Sequence, residues 1–252
     1  MPSRKKEEGA STHIDAKGMD YRELNRTIRN ALDEGVSTIL ITNVLGQRFI
    51  GDGIDKEVKI SITGVAGGDL GAFMNGPLIY VNGNAEHAAG NTMSNGKIVI
   101  YGDSGDCLGH SMRGGKIFVK GNVGYRVGIH MKQFEDIYPT IVIGGKAQSF
   151  LGEYMAGGII LVLGLGSECP VDSYVGTGIH GGTIYIAGDI DDDLLGVATK
   201  KAPVDEEDLK IIRELVRDYN SYFNKSVDVD KIEFIKIEPI SSRPFSNLYT
   251  PE

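Results

Sequence analysis

The sequence predicts a mainly β fold, a single-stranded parallel β-helix of about seven coils with a helix near either end. Three observations support this prediction. Glycine is frequent, with 35 residues in a chain of 252, and 28 of them lie between Gly64 and Gly188. A glycine-centred motif and a short strand-like run both recur there at nearly constant intervals. A repeat of about 20 residues with a short strand in each unit is typical of a solenoid.

The recurring motif is an apolar residue, a glycine, two variable positions and a large apolar residue. Seven copies are found, with steps of 25, 19, 19, 19, 24 and 24 between their glycines. Those glycines are Gly46, Gly71, Gly90, Gly109, Gly128, Gly152 and Gly176, and the copies end at Phe49, Met74, Met93, Met112, Met131, Met155 and Ile179. Equivalent positions of successive coils stack about 4.8 Å apart, so the methionines are expected to form one buried column.

Strand positions repeat in the same register. Ile79, Ile98 and Ile117 are evenly spaced at one coil each, and each strand is followed by a Gly-Asn or Gly-Asp pair, as at Gly83-Asn84. Such pairs favour turns because both residues tolerate positive φ. A leucine-rich repeat has a similar period but needs a leucine framework with a recurring asparagine, which is absent.

Three segments are expected along the chain. Residues 1–36 form a tail and a capping helix, residues 37–189 form the β-helix, and residues 190–252 form a linker, a helix and a strand-like tail that packs on the solenoid. The helices are predicted from about Asp20 to Gly35 and from about Asp205 to Phe223, and the last strand covers Ile232–Ile237. Both helices are expected to cap the open coils. The two longest later steps predict insertions at 132–138 and 166–174.

Composition excludes several classes of function. The chain carries 26 Lys and Arg against 34 Asp and Glu, a formal net charge of −8, which argues against nucleic acid or an anionic membrane as the main partner. No apolar run approaches the roughly 20 residues that span a bilayer, and residues 1–12 lack the apolar core of a signal peptide. With only Cys107 and Cys169, a disulfide scaffold is excluded and a cytoplasmic location is expected.

Two glycine patterns resemble nucleotide-binding motifs but lack the necessary context. Gly176-x-Gly178-x-x-Gly181 has the spacing of a dinucleotide fingerprint, which needs a helix after it, whereas the sequence predicts a strand at Thr183–Ala187. Gly109-x-x-x-x-Gly114-Gly115-Lys116 has an extra glycine, and an isoleucine where Ser or Thr must contact magnesium. Neither pattern is expected to bind a nucleotide.

The remaining candidates for chemistry also favour structural roles. Cys107-x-x-His110 offers two potential metal ligands, yet no second pair lies at a useful spacing. His87, His110 and His130 are offset by four and by one in the coil register, which predicts that they do not stack. The acidic run Asp189–Asp193 is interpreted as a solvated connector, and the methionines as core. The sequence therefore predicts no catalytic, cofactor-binding or metal-binding residue in this chain.

Several motifs, in order and at coil spacing, resemble the Gly-x-Gly-x-Gly domain that forms the C-terminal part of the large subunit of glutamate synthase. They are Gly64-Val-Ala-Gly-Gly-Asp-Leu-Gly-Ala-Phe73, Gly114-Gly-Lys-Ile-Phe-Val-Lys-Gly121 and Gly152-Glu-Tyr-Met-Ala-Gly-Gly158. The likeness runs from about Ile39 to Gly188 and resumes at Phe234–Pro239. It implies a right-handed parallel β-helix.

The resemblance also implies a function. Counterparts of the glutaminase domain and of the flavin barrel with its iron–sulfur cluster are not expected in this chain, since the second residue is Pro2 and two lone cysteines cannot hold a cluster. The chain therefore resembles a free-standing, archaeal-type third domain of a split glutamate synthase. Such a protein is expected to be a non-catalytic scaffold, with FMN and the iron–sulfur cluster on partner subunits. The sequence does not decide whether the chain also forms a homo-oligomer.

Two alternatives remain at this point. One is the related β-helix subunit of formylmethanofuran dehydrogenase, a tungsten or molybdenum enzyme, although Gly152–Gly158 and the C-terminal helix followed by Phe234-Ile-Lys-Ile favour glutamate synthase. The other is an independent small-molecule enzyme with a site in the inserted loops. Those loops, 132–138 and 166–174, are also the predicted partner contacts.

Overall fold

A computed structural model describes residues 9–242 and contains one continuous eleven-stranded sheet. Nine strands run parallel in chain order, and the last two close the sheet in the order β9-β11-β10. The strands are β1 Ser11–Asp15, β2 Thr38–Leu45, β3 Lys59–Val65, β4 Asn75–Asn82, β5 Asn95–Ile100, β6 Lys116–Val119, β7 Thr140–Ile143, β8 Ala156–Val162, β9 Gly181–Ala187, β10 Thr199–Ala202 and β11 Phe234–Pro239. The helices are α1 Tyr21–Asp33 and α2 Glu206–Phe223. The predicted β-solenoid of about seven turns is confirmed.

Equivalent positions of successive coils lie directly above one another. Ile98 of β5 pairs with Ile79 of β4 on one side and with Ile117 of β6 on the other. A second, shorter ladder joins Ala66, Ala85, Ser104, Val123, Ala147 and Val171 through single parallel bridges. Between the two ladders lies an interior of fully buried Ile, Val, Leu and Met side chains. The periodic pattern of the sequence therefore becomes a set of columns in space.

The methionine column is part of this interior. Met74, Met93, Met112, Met131 and Met155 are each fully buried. From the second of them onward, the backbone N–H after each methionine donates to the carbonyl of the methionine one coil earlier, as in the 2.9 Å bond from Arg113 to Met93. These bonds keep the side chains in register along the axis.

The repeat glycines form the sharp corners of the coils. Gly71, Gly90, Gly109, Gly128, Gly152 and Gly176 have φ between 64° and 71°. A Cβ at most of them would meet the isoleucine of a neighbouring strand, at 2.5 Å from Ile141 Cδ1 in the case of Gly109. Glycine is required at such a corner both for its conformation and for the close approach.

The first copy of the motif was placed incorrectly by sequence. Gly71 N–H donates to the carbonyl of Ile50, just as Gly90 N–H donates to that of Leu70, so the preceding glycine corner is Gly51. Ile54 then occupies the methionine position and is 4% exposed, whereas Leu45 is 80% exposed. Gly46 lies in a different part of the coil, where its N–H donates to Val65. Leu45-Gly46-x-x-Phe49 therefore matches the motif in sequence but does not occupy the motif's position in the coil.

At a second corner, side-chain oxygens of Asn and Asp form a ladder of hydrogen bonds from coil to coil. The sequence predicted only that these residues form turns. Asn84 Oδ1 accepts the backbone N–H of Asp103 at 3.0 Å, and Asp103 Oδ1 accepts that of Asn122 at 2.7 Å. Asn122 Oδ1 in turn accepts the N–H of Lys146 at 2.8 Å. Each side chain thus satisfies a backbone donor of the following coil, which stabilises the corner.

Helix α1 covers the first coil. Its buried residues, Leu24, Ile28 and Leu32, belong to the same apolar cluster as the solenoid interior. The Asp20 carboxylate caps the helix by accepting the N–H groups of Arg22 and Glu23. This helix shields the apolar interior at the N-terminal end of the coils.

Helix α2 does not cap an end, contrary to the prediction. Its buried residues pack on the outer face of the sheet, in a separate apolar cluster with Val99, Phe118, Val142, Leu161 and Tyr185. The outward positions of β5–β9 are apolar, so they need a cover, and the amphipathic stripe of α2 provides one. The C-terminal end is closed instead by the loop before β10 and by β11, whose Ile237 is fully buried opposite Ile184.

Replacing Ser104 by alanine is expected to stabilise the fold by about 1 kcal/mol. Ser104 is 6% exposed and its hydroxyl has no hydrogen-bond partner among the described residues. Its ladder neighbours are Ala85 and Val123, so the position accepts a small apolar side chain. Thermal and urea unfolding of Ser104→Ala measures the change. The exposed Ser94→Ala is the control and is expected to leave the midpoint unchanged; equal midpoints in both variants would contradict the account.

Candidate functional site

A band of polar and aromatic side chains follows the repeat-glycine corner from coil to coil. Two positions before each repeat glycine from Gly71 to Gly176 stands a non-glycine residue with a φ of 57–65°. Two positions after each repeat glycine from Gly71 to Gly152 stands another, with a φ of 51–56°. We call the following residues the corner band: Asp69, Asn91, His110, Arg126, His130, Phe150, Glu153, Tyr154 and Tyr174. All of them lie at one of these two positions or directly after a repeat glycine.

One end of the corner band is a hydrogen-bonded chain. Asn91 donates from Nδ2 to Asp69 Oδ1 at 3.1 Å, and Asn91 Oδ1 lies 3.2 Å from His110 Nδ1. Because this oxygen only accepts, His110 carries its proton on Nδ1. Partial burial lowers the pKa of His110, and the neighbouring His130 adds to the effect. Both effects favour the neutral imidazole of His110.

Two of the three histidines are in contact, whereas their offsets in the coil register predicted only that the three do not stack. The rings of His110 and His130 meet edge to face with centroids 6.1 Å apart, and His130 stacks on Tyr154 at 5.5 Å. An offset of one residue between adjacent coils is small enough for ring contact. His87 lies apart from them in register, and its Nδ1 accepts the N–H of Asp106 at 2.9 Å.

The other half of the corner band is built on a buried carboxylate. Glu153 is 6% exposed and forms an ion pair with Arg126, which is half exposed. The Arg126 guanidinium also lies 4.7 Å from the centre of the Phe150 ring, and Phe150 stacks on Tyr174 at 4.8 Å. A buried carboxylate is costly without such a partner, so Arg126 is held in place over the ring.

The cysteines show no sign of activation. Partial burial raises the pKa of the Cys107 thiol, and the Asp106 charge adds to this. Cys169 is exposed, and its thiol donates to the Val171 carbonyl at 3.0 Å. A thiol with a raised pKa is a poor nucleophile at neutral pH.

No group of three or more His, Cys, Asp or Glu side chains within residues 9–242 is arranged to hold a metal ion. Cys107-x-x-His110 forms a local turn, in which His110 N–H donates to the Cys107 carbonyl at 3.0 Å. In the acidic run, Asp189 and Asp192 both pair with Lys201, at 2.9 and 2.8 Å. The Asp189 and Asp192 side chains remain 79% and 83% exposed, so the run is solvated as the sequence predicted, and these ion pairs also tie it to β10.

The nucleotide-like glycine patterns belong to the solenoid. Gly176 and Gly178 lie at a coil corner, and Gly181 begins strand β9. Lys116 begins strand β6 directly after Gly114-Gly115. Because neither pattern leads into a helix, neither has the N-terminal helix dipole that phosphate binding uses.

The two predicted insertions interrupt the regular coils differently. Phe134 and Ile137 close a small hairpin through two backbone hydrogen bonds of 3.0 Å, and the side chains of Phe134, Ile137 and Tyr138 are 65%, 57% and 48% exposed. In the second insertion the Ser167 hydroxyl donates to the Cys169 carbonyl at 2.7 Å. We call residues 134–138 the hairpin.

The hairpin and the corner band are neighbours. Tyr154 stacks on His130, and the chain reaches the hairpin four residues after His130. Three residues after Tyr154, Gly157 abuts Gln133, since a Cβ on that glycine would lie 2.3 Å from Gln133 Cβ. Together the corner band and the hairpin carry exposed aromatic side chains and an arginine, residue types that are enriched at protein–protein interfaces.

Sequence reasoning missed Arg126, Phe150, Glu153, Tyr154 and Tyr174. The signal that could have found them is positional, because each stands at a fixed distance from a repeat glycine. Aligning the coils on that glycine brings these residues into adjacent columns. Along the chain they are spread over three coils, so they show no motif.

None of the helices in the described part of the chain is long and apolar enough to cross a membrane.

The fold and the corner together define a class of protein, a parallel β-solenoid whose coils turn at a regularly spaced glycine. Residues 10–234 match the family described as GXGXG motif, and the chain belongs to this family. This is the family whose glutamate synthase domain the sequence resembles. The chain is also 57% identical over 251 residues to a protein of Methanocaldococcus jannaschii described as uncharacterized, covering 95% of this chain and 96% of that relative.

Proposed function

We propose that this protein is the non-catalytic scaffold subunit of a split glutamate synthase, which makes glutamate from glutamine and 2-oxoglutarate. The observation that carries the proposal is the family match over residues 10–234, together with the ordered motifs that resemble the C-terminal domain of the large subunit. In this role the solenoid positions a glutaminase subunit and a flavin and iron–sulfur subunit. FMN and the cluster belong to those partners, and the complex serves nitrogen metabolism in the cytoplasm.

The shape of the molecule suits this role. Continuous backbone ladders and a close-packed interior make the solenoid stiff, and stiffness is what a spacer between two active sites requires. The corner band and the hairpin offer aromatic and apolar surface outside the solenoid wall. Partner subunits can bury such surface.

Affinity purification from the native host tests the proposal. The chain is tagged, isolated under gentle anaerobic conditions, and the proteins retained with it are identified by mass spectrometry. Recovery of glutaminase-type and flavin/iron–sulfur glutamate synthase chains supports it. Recovery of tungsten or molybdenum enzyme subunits instead would assign the chain to the formylmethanofuran dehydrogenase type, and recovery of the chain alone would contradict both scaffold roles.

The isolated chain is expected to form no glutamate from glutamine and 2-oxoglutarate when supplied with a reductant. Glutamate formation is expected to require the partner subunits and to fall at least about 10-fold when this chain is omitted from the reconstituted mixture, because proximity of the two active sites is lost. The measurement is glutamate production with and without each subunit. Turnover by the chain alone would overturn the scaffold role.

A further inference from the structure

The hairpin is an ordered addition to an otherwise regular coil. The glycine step from Gly128 to Gly152 is 24 residues, against 19 for each of the three steps before it. The extra residues are those of the hairpin, which is closed on itself by the two bonds between Phe134 and Ile137. The coils on either side keep their ladder, since Thr140 of β7 still pairs with Lys116 of β6. The projection is therefore not needed to build the solenoid.

Exposed apolar surface is concentrated on the hairpin. Of thirteen exposed large apolar residues in the described chain, three lie within these five consecutive residues. Phe134 at 65% and Ile137 at 57% exposure place most of their side-chain surface in water. A compact group of large apolar side chains on a projecting turn is the usual anchor of a protein–protein contact.

The tip of the hairpin is acidic and unneutralised. Glu135 and Asp136 are both exposed, and within residues 9–242 neither carboxylate has an ion-pair partner. Asp172, within the second insertion, is by contrast paired with Lys146 at 2.6 Å. Two unpaired negative charges between Phe134 and Ile137 favour a cleft that carries positive charge around the place where these side chains enter.

We infer that the hairpin is the anchor by which this chain binds a partner subunit of the complex, inserting Phe134, Ile137 and Tyr138 into an apolar cleft rimmed by lysine or arginine. The inference rests on the proposed function for the existence of that partner. The second insertion is less suited to the role, because its Ser167 hydroxyl and Cys169 thiol are satisfied within the loop.

The first experiment removes the anchor without breaking the coil. Residues 133–139 are replaced by Gly-Gly, the pair that stands between Arg113 and Lys116 in the preceding coil. The step from Gly128 to the next repeat glycine then equals the step of the three regular coils before it. Far-UV circular dichroism and the melting temperature are expected to stay close to those of the wild type. Affinity for the partner subunit, measured by surface plasmon resonance with the co-purified glutamate synthase chains, is expected to fall at least about 30-fold.

Point substitutions separate the apolar from the charged contribution. Phe134→Ser/Ile137→Ser/Tyr138→Ser is expected to weaken binding as strongly as the replacement does. The matched control is Leu45→Ser/Val197→Ser, which removes side chains that are 80% and 73% exposed elsewhere on the solenoid and is expected to bind like the wild type. Glu135→Lys/Asp136→Lys is expected to lower the association rate about 10-fold at low salt, with a smaller loss at high salt.

The outcomes distinguish this inference from the proposed function. Glutamate synthase chains that co-purify equally well with the wild type and with the triple serine variant would overturn the anchor and leave the scaffold role in place. An unchanged or faster association of the lysine variant would overturn the basic rim. Absence of those chains from the wild-type purification would overturn the proposed function and the inference together.

Discussion

Gly109→Ala is expected to lower the free energy of unfolding by about 3 kcal/mol, the sum of a conformational cost of about 1 kcal/mol and a steric cost of about 2 kcal/mol. Gly109 has φ of +68°, and a Cβ there would lie 2.5 Å from Ile141 Cδ1 on a strand of a neighbouring coil. The interior at this point is fully buried, so neither group can move into solvent. Urea unfolding of the purified variant measures the loss.

Gly166→Ala is the matched control for this effect. Gly166 has φ of +80° and no atom within 4 Å of the Cβ position, so only the conformational cost of about 1 kcal/mol applies. Ile141→Val removes the Cδ1 atom that the new methyl group meets, and it is expected to restore part of the stability of Gly109→Ala. Equal losses at Gly109 and Gly166, or no coupling with Ile141, would show that the corner is not sterically constrained.

Asp208→Ala is expected to destabilise the protein by about 3 kcal/mol and to loosen α2 from the sheet. The Asp208 side chain is 8% exposed, and its carboxylate accepts hydrogen bonds from Tyr185 Oη at 2.6 Å and from Lys236 Nζ at 2.9 Å. It joins the first turn of α2 to β9 and β11. Removing it leaves the partly buried ammonium of Lys236 without its closest partner, which is where most of the cost arises.

The same network predicts a dependence on pH. Burial by itself raises the pKa of Asp208, but hydrogen bonds from Tyr185, the Asp205 N–H and Lys236 outweigh it and leave the pKa below the ordinary value. A lowered carboxyl pKa contributes stability at neutral pH that is lost as the pH falls below about 4. Urea unfolding as a function of pH measures this contribution. In Asp208→Asn the loss of stability at low pH is expected to be smaller than in the wild type, whereas Asp136→Asn, at an exposed carboxylate, is expected to lose stability as the wild type does. If Asp208→Asn lost stability below about pH 4 to the same extent as the wild type, Asp208 would not be the source of this pH dependence.

Much of the fold followed from periodicity. The constant step between coils identified the strands and the methionine column because stacked coils expose the same position to the same environment. Helix limits were close as well, since Asp20 and Asp205 are N-caps with clear side-chain chemistry. What the sequence could not settle was register within the first coil. Gly46 and Gly51 both lie near apolar residues, and only the backbone bond from Gly71 to Ile50 distinguishes them.

The placement of α2 and the corner band could not be read from local pattern. An apolar stripe shows that a helix is covered on one side, but it does not say whether it lies over the end of a solenoid or along its wall. The contacts of His130 with His110 and Tyr154 join residues of three different coils. Such contacts depend on how adjacent turns stack, which becomes visible only when the coils are superimposed.

The helix on the outer wall also sets a limit on how the chain can vary. Asp208 contacts Tyr185 of β9, and fourteen residues later Tyr222 contacts Tyr80 of β4. At about 1.5 Å per residue the helix covers ~21 Å between these points, close to the ~24 Å of five strand spacings. An added or lost coil between β4 and β9 would put one of these contacts out of reach. Between β4 and β9, insertions and deletions are therefore confined to loops such as the hairpin. Whole coils can be added only outside the strands that α2 covers.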